Sequence, residues 1–145
     1  QGEPTRTSNV KDGFAIRYAM LKGYPVGIIT GAKNEVVRVR HEKLGVTDIY
    51  MAVKSKLDSF DHFLNKHQLK PENILYMGDD LPDHEIMIRV GIPTCPRDAV
   101  AEIKAVSKYI SNLDGGRGCV RDVIEQVLRA QGNWIEVDKV DFSSF

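Results

Sequence analysis

The chain has little that would cross-link it, charge it or carry it into a membrane. It contains two cysteines, Cys95 and Cys119, in 145 residues. They are far apart and outside any C-x-x-C, which sets aside a zinc knuckle or dithiol motif and predicts two free buried thiols. Net charge is absent, because Lys plus Arg and Asp plus Glu both number 20. This balance argues against nucleic acid or an anionic membrane as the main partner. Its weak colloidal repulsion suits a stable oligomer. No apolar run approaches the ~18 residues of a membrane span, and no signal peptide is visible. The expectation is a cytoplasmic protein. Internal repeats and low-complexity segments are also missing. His41, His62, His67 and His84 share no ligand spacing and read as surface residues.

What is present is a chain that can bury a core. Apolar residues make up 42% and charged residues 28%, ordinary for one soluble domain of this length. Helical and extended patterns alternate. A helix over 13–21 opens at Asp12 and closes at Gly23. A strand over 25–29 follows, then a basic helix over 34–44 and a short strand over 49–51. An amphipathic helix over 56–67 carries Leu57, Phe60, Phe63 and Leu64 on one face. Strands over 74–77, 92–95 and 109–111 alternate with helices ending at Val90, spanning 99–106, and running from Cys119 or Val120 to Gln131. Alternation of this kind predicts parallel strands with right-handed crossovers in a three-layer α/β sandwich, a Rossmann-like sheet. Residues 1–132 read as the single domain, with 133–145 as a tail without clear period. Thr5-Arg6-Thr7 could form a short exposed strand.

The chemistry concentrates in Tyr76-Met77-Gly78-Asp79-Asp80-Leu81-Pro82-Asp83. An apolar strand ending in three clustered acids delivers hard oxygen donors to the carboxyl end of a sheet, where open α/β folds place ligands. Such donors suit Mg²⁺, which takes one or two carboxylates and leaves its other positions to water and phosphate. Asp79, first after the strand, is the leading metal ligand. Asp80 could face the metal through water or cap the next helix. Asp83 could cap the helix that begins at His84. Thr30 ends its strand with a hydroxyl before Gly31, so that hydroxyl and the next amide could take a phosphoryl oxygen. Lys54 and Lys56 stand where a helix begins. A lysine there opposes the helix dipole unless acids or phosphate face it.

The order strand-Thr30-Gly31, helix-start lysine, then Gly78-Asp79-Asp80-Leu81-Pro82-Asp83 resembles three of the four motifs of the haloacid dehalogenase-like phosphohydrolases. With Asn9-Val10-Lys11-Asp12-Gly13 and Gly115-Gly116-Arg117-Gly118, the set is similar to the small capless sugar-acid phosphatases that act on 3-deoxy-D-manno-octulosonate 8-phosphate. The match runs over 2–132. The resemblance implies Mg²⁺-dependent hydrolysis of a phosphomonoester through an aspartyl-phosphate, in the service of lipopolysaccharide synthesis. It selects Lys56 over Lys54 as the catalytic lysine. It makes Asp83 the acid that holds this lysine or a metal-bound water, and Thr30 and Gly31 the phosphate binders. Arg40 and Lys43 match basic positions that reach a neighbouring subunit's site in a homotetramer. A solvated helix face is the plain alternative for both. Gly116 and Arg117 match a flap that closes on substrate.

Two departures stand out. The family's first strand ends in Asp-x-Asp-Gly and carries the nucleophile; this sequence holds no such segment, and its first residues read as half of the hairpin that follows it. Ala32 replaces the Arg or Glu usual after Thr-Gly, and Lys33 could compensate. Two further readings stay open: the same chemistry on a nine-carbon ulosonate 9-phosphate, and a non-catalytic oligomeric scaffold. A response-regulator receiver does not suit the order of Thr, Lys and acids.

Overall fold

The computed structural model describes residues 10–144; the strand expected at Thr5-Arg6-Thr7 lies outside them. Helices and strands alternate as α1 (Val10–Leu21), β1 (Gly27–Ile29), α2 (Glu35–Lys43), β2 (Asp48–Tyr50), α3 (Lys56–His67), β3 (Leu75–Met77), α4 (His84–Met87), β4 (Ile92–Cys95), α5 (Ala101–Val106), β5 (Tyr109–Ile110) and α6 (Cys119–Ala130). All strand pairs are parallel. They form two hydrogen-bonded sets, β1-β2 and β3-β4-β5.

The boundaries follow local chemistry. Pro25 falls outside β1, consistent with its missing N–H. Asn34 caps α2 by accepting from the Val36 amide at 2.8 Å. Ser55 caps α3 by accepting from the Asp58 amide at 3.2 Å. Asp12 differs from its expected role. It sits inside the first turn of α1 and accepts from the Arg121 amide at 2.9 Å. Gly118, the residue before α6, has no side chain to satisfy that orphan donor, so α1 caps its neighbour instead of itself. α5 starts two residues later than expected because 96–100 form a turn.

Two clusters form the core. Phe60 and Leu64 of α3 meet Ile86 and Val90, and Met87, Cys95, Ala99 and Ile103 form the second. Tyr76 packs against both. The thiols of Cys95 and Cys119 are free and buried, as expected. α1 lies on α6. Beyond α6 the tail folds back: Trp134 meets Tyr18 edge-on at 5.4 Å, and Arg121 lies 5.1 Å over the Trp134 ring.

The histidines are not all surface residues, contrary to expectation. Only His62 is exposed, and its Nδ1 lies 2.7 Å from the Tyr50 hydroxyl. His67 is partly buried because it serves a buried acid: its Nε2 lies 2.8 Å from Asp48 Oδ2, and Lys66 Nζ lies 2.5 Å from Oδ1. The α3 C-terminus is thereby tied to the start of β2.

Candidate active site

The acidic loop folds around one carboxylate, Asp83, which is 1% exposed. After β3 the chain turns at Gly78, where a Cβ would stand 2.5 Å from Asp83 Cβ and 2.8 Å from the Met87 sulfur. Only glycine lets the loop close back on itself. Asp83 Oδ2 then accepts from the Asp79 amide at 2.9 Å and the Asp80 amide at 3.2 Å. Oδ1 accepts from the Tyr76 hydroxyl at 2.6 Å and from Lys56 Nζ at 2.9 Å. Four donors thus occupy about the four lone-pair sites that a carboxylate offers. Asp83 does not cap α4. Asp80 does cap, over the 3-10 turn Leu81–Asp83, accepting from the Leu81 amide at 2.7 Å in a reciprocal capping box with Asp83.

Electrostatics divide the acids. Burial works against charge on Asp83, but the Tyr76 hydroxyl, Lys56 and the Asp79 amide outweigh it and hold its pKa below the ordinary carboxylate value. Asp79 moves the other way. Its side chain reaches solvent, yet the protein crowding its inner side raises its pKa, and the charge of Asp83 beside it adds to that, against the pull of Lys56. Tyr76 is raised by burial and then by Asp83, so its phenol stays a proton donor. Lys56 pairs directly with Asp83, and anionic charge is left over around Asp79.

That surplus is what a divalent cation would neutralise. Among the described residues no group of three or more His, Cys, Asp or Glu side chains is placed to hold a metal ion. Mg²⁺ does not need one, since one or two carboxylates with water and phosphate suffice. Asp79 fits as the protein's donor. Asp80 has one oxygen committed to its cap.

The two strand sets converge here. In β1-β2, Thr30 and the loop after Tyr50 lie at the same, carboxyl end. The Thr30 amide donates to Tyr50 O at 2.9 Å, and the Ala52 amide donates to Ala32 O at 2.9 Å. Lys56 rises from that loop and reaches Asp83, beyond the carboxyl end of β3. The 2.9 Å bond therefore places both carboxyl ends on one side of the molecule. The Thr30 Oγ accepts from the Ala32 amide at 3.1 Å, which leaves its O–H to donate elsewhere. Gly31 faces open space: a Cβ there would meet nothing within 4 Å. Ala52 is held at φ 55°, a left-handed conformation that costs a non-glycine residue about 1–2 kcal/mol.

The turn after β4 links a third segment. The Val100 amide donates to Asp79 O at 3.2 Å. Asp98 Oδ1 accepts from the Gly115 amide at 3.0 Å, and Arg97 pairs bidentately with Asp114 at 2.9 and 3.0 Å. The Gly115–Gly118 loop is thus pinned beside the acidic turn at its first half; Gly118 itself needs φ 102°.

The haloacid dehalogenase-like hydrolase family matches residues 27–119, which hold every one of these groups. The chain belongs to the haloacid dehalogenase-like hydrolases. Its relatives there include the 3-deoxy-D-manno-octulosonate 8-phosphate phosphatase KdsC of Escherichia coli K12, 40% identical over 131 residues that cover 90% of this chain and 70% of that protein. The KdsC of Salmonella typhi is 39% identical over the same shares. The structure of the phosphatase of that name from Yersinia pestis aligns with a TM-score of 0.86 at 35% identity, over 92% of this chain and 72% of that one. The Moraxella catarrhalis phosphatase, solved with a magnesium ion, a phosphate ion and a KDO molecule, aligns with a TM-score of 0.85 at 32% identity, over 91% and 76%.

Against this haloacid dehalogenase-like frame, the structure brings Lys56, Asp83, Asp79 and Asp80 together, with Thr30 and Gly31 on the same end. It does not bring Lys33, Arg40 or Lys43 into contact with them: all three are exposed, and α2 has no buried residue. Lys54 is exposed. Sequence reasoning missed Tyr76, hidden inside an apolar run, although a tyrosine one residue inside the end of such a strand was a usable signal. It also missed Asp98, which nothing in the sequence singles out.

Proposed function

We propose that this protein is a Mg²⁺-dependent phosphatase that hydrolyses 3-deoxy-D-manno-octulosonate 8-phosphate to the free sugar acid and phosphate. The observation that carries the reading is the pair of partly exposed Lys56 with buried Asp83, beside the anionic surplus of Asp79. The names of the relatives supply the substrate and the cation. Asp79 would hold Mg²⁺, with Asp80 beside it as a further acid. When bound, Mg²⁺ neutralises phosphate charge as a Lewis acid. Thr30 O–H and the Gly31 amide take phosphoryl oxygens. The Lys56 ammonium balances the phosphate, and Asp83 holds that ammonium in place. The family's attacking carboxylate has no counterpart in Asp-x-Asp-Gly form in this sequence.

The same reading makes the enzyme a cytoplasmic homotetramer. Arg40 and Lys43 of one protomer, with Gly116 and Arg117, serve the sugar carboxylate at a neighbour's site, and Lys33 stands in for the side chain that Ala32 lacks. The exposed Val36 and Val39, 58% and 45% exposed on the same helix, support a face that meets another chain. Phosphate release by the full-length protein, compared between the eight-carbon and nine-carbon sugar-acid phosphates with and without Mg²⁺, tests the reading. Mg²⁺-dependent release that favours the eight-carbon substrate is expected. No release from either substrate would overturn it.

A further inference from the structure

Tyr76 reaches the acids from the core and is held at both its backbone and its ring. Its backbone pairs with β4, and its carbonyl accepts from the Thr94 hydroxyl at 2.9 Å, with Thr94 fully buried. Its ring meets Phe60 edge-on at 6.2 Å and touches both core clusters. The ring cannot wander, so its hydroxyl is a fixed donor. That donor lands on Asp83 Oδ1 at 2.6 Å, the oxygen that Lys56 Nζ uses at 2.9 Å.

We propose that Tyr76 is a positioning residue for Lys56, its hydroxyl filling one lone pair of Asp83 Oδ1 so that the ammonium has a single place to sit. The backbone amides of Asp79 and Asp80 already hold Oδ2, so Tyr76 completes the set that stops the carboxylate from turning. Without it, Oδ1 offers two sites to a flexible four-carbon side chain, and the ammonium spreads between them. The consequence for rate rests on the phosphatase reading; the consequence for Lys56 does not.

The test compares Tyr76→Phe with Thr94→Val in the full-length protein. Both delete one buried hydroxyl bond from β3, but only the first touches Asp83. Tyr76→Phe should lower kcat about tenfold to a hundredfold, the scale of a misplaced catalytic group, with KM within about threefold. Thr94→Val should leave kcat within about twofold. Equal losses of rate in the two variants, or none in Tyr76→Phe, would overturn the proposal. The ¹⁵Nζ resonance of Lys56, assigned with Lys56→Ala, carries the comparison without substrate: it should move in Tyr76→Phe and stay in Thr94→Val. A resonance unmoved in both overturns the positioning claim whatever the protein hydrolyses. A resonance that moves only in Tyr76→Phe, in a protein whose wild type releases no phosphate, supports the positioning claim and sinks the functional reading alone.

Discussion

Each end of α3 holds a lysine against a buried aspartate, and the two ends are built for opposite purposes. At the C-terminal end, Lys66 and His67 both serve Asp48, which is 6% exposed. At the N-terminal end, Lys56 is the one cationic partner of Asp83 among the described residues, and Asp79 and Asp80 stand just before that acid in the same loop. Burial opposes charge on Asp48 too, yet Lys66 and His67 hold its pKa below the ordinary value, and among the described residues no second carboxylate beside it is pushed upward; only the Tyr50 phenol is raised, by burial and then by Asp48. At the Asp83 end the same lowering of one acid comes with the raising of another, Asp79. A lysine–aspartate pair by itself says nothing about function. What separates a clamp from a site is whether negative charge remains once the pair is made.

Breaking the two lysines should separate the ends most widely. Lys56→Ala is expected to cost the full-length enzyme about a hundredfold or more in kcat/KM, because phosphate and acid charges lose their counter-ion in a shielded site. Lys66→Ala should leave the rate within about twofold and act on stability alone. Steady-state kinetics on both variants decide this, and the reverse ranking would show that the clamp and the site have been exchanged. Removing the acids sharpens the contrast in stability. Asp83→Asn strands Lys56 and mismatches four donors, and should cost about 3 kcal/mol or more by denaturant unfolding. Asp48→Asn, whose lysine is half exposed, should cost about 1–2 kcal/mol.

The Asp48 end also has a pH signature. Its folded pKa is lower than the ordinary 3.8. The stability it contributes is therefore complete above that value and is lost as pH falls below it, through the depressed folded pKa. Acid unfolding curves of wild type and Asp48→Asn should converge below about pH 3.8. Asp79 should behave in the opposite sense, since its charge is uncompensated. Asp79→Asn should raise the melting temperature of the Mg²⁺-free protein by a few degrees, roughly 0.5–1 kcal/mol. The smallest effect concerns Ala52, held left-handed in the loop that launches Lys56. Ala52→Gly should stabilise by about 0.5 kcal/mol or less, relieved strain being partly offset by a more flexible unfolded chain.

Much of this was legible in the sequence, and the boundary is physical. Alternating apolar strands and amphipathic helices set the α/β class, and α3 and β4 have the bounds their periodicity predicts. Strand-end chemistry pointed to Thr30 and Asp79, which stand where apolar strands end, and to the acid cluster that runs on to Asp83; the family resemblance chose Lys56 over Lys54. What a linear pattern cannot encode is which long-range partner satisfies a polar group. Asp12 reads as a cap for its own helix, but its carboxylate binds the Arg121 amide across a helix pair. His67 reads as surface until Asp48 is found facing it. Asp80, open between metal and cap, has one oxygen fixed by the Leu81 amide 2.7 Å away. Tyr76 reads as core, which its ring is, while its hydroxyl reaches the site.

The claim that charge left over at one end of α3 makes a cation site is tested most directly by calorimetric titration of Mg²⁺ into the full-length protein. Wild type and Asp48→Asn should bind alike, and Asp79→Asn should show no binding in the same concentration range. Undiminished Mg²⁺ binding by Asp79→Asn would contradict the account at its centre.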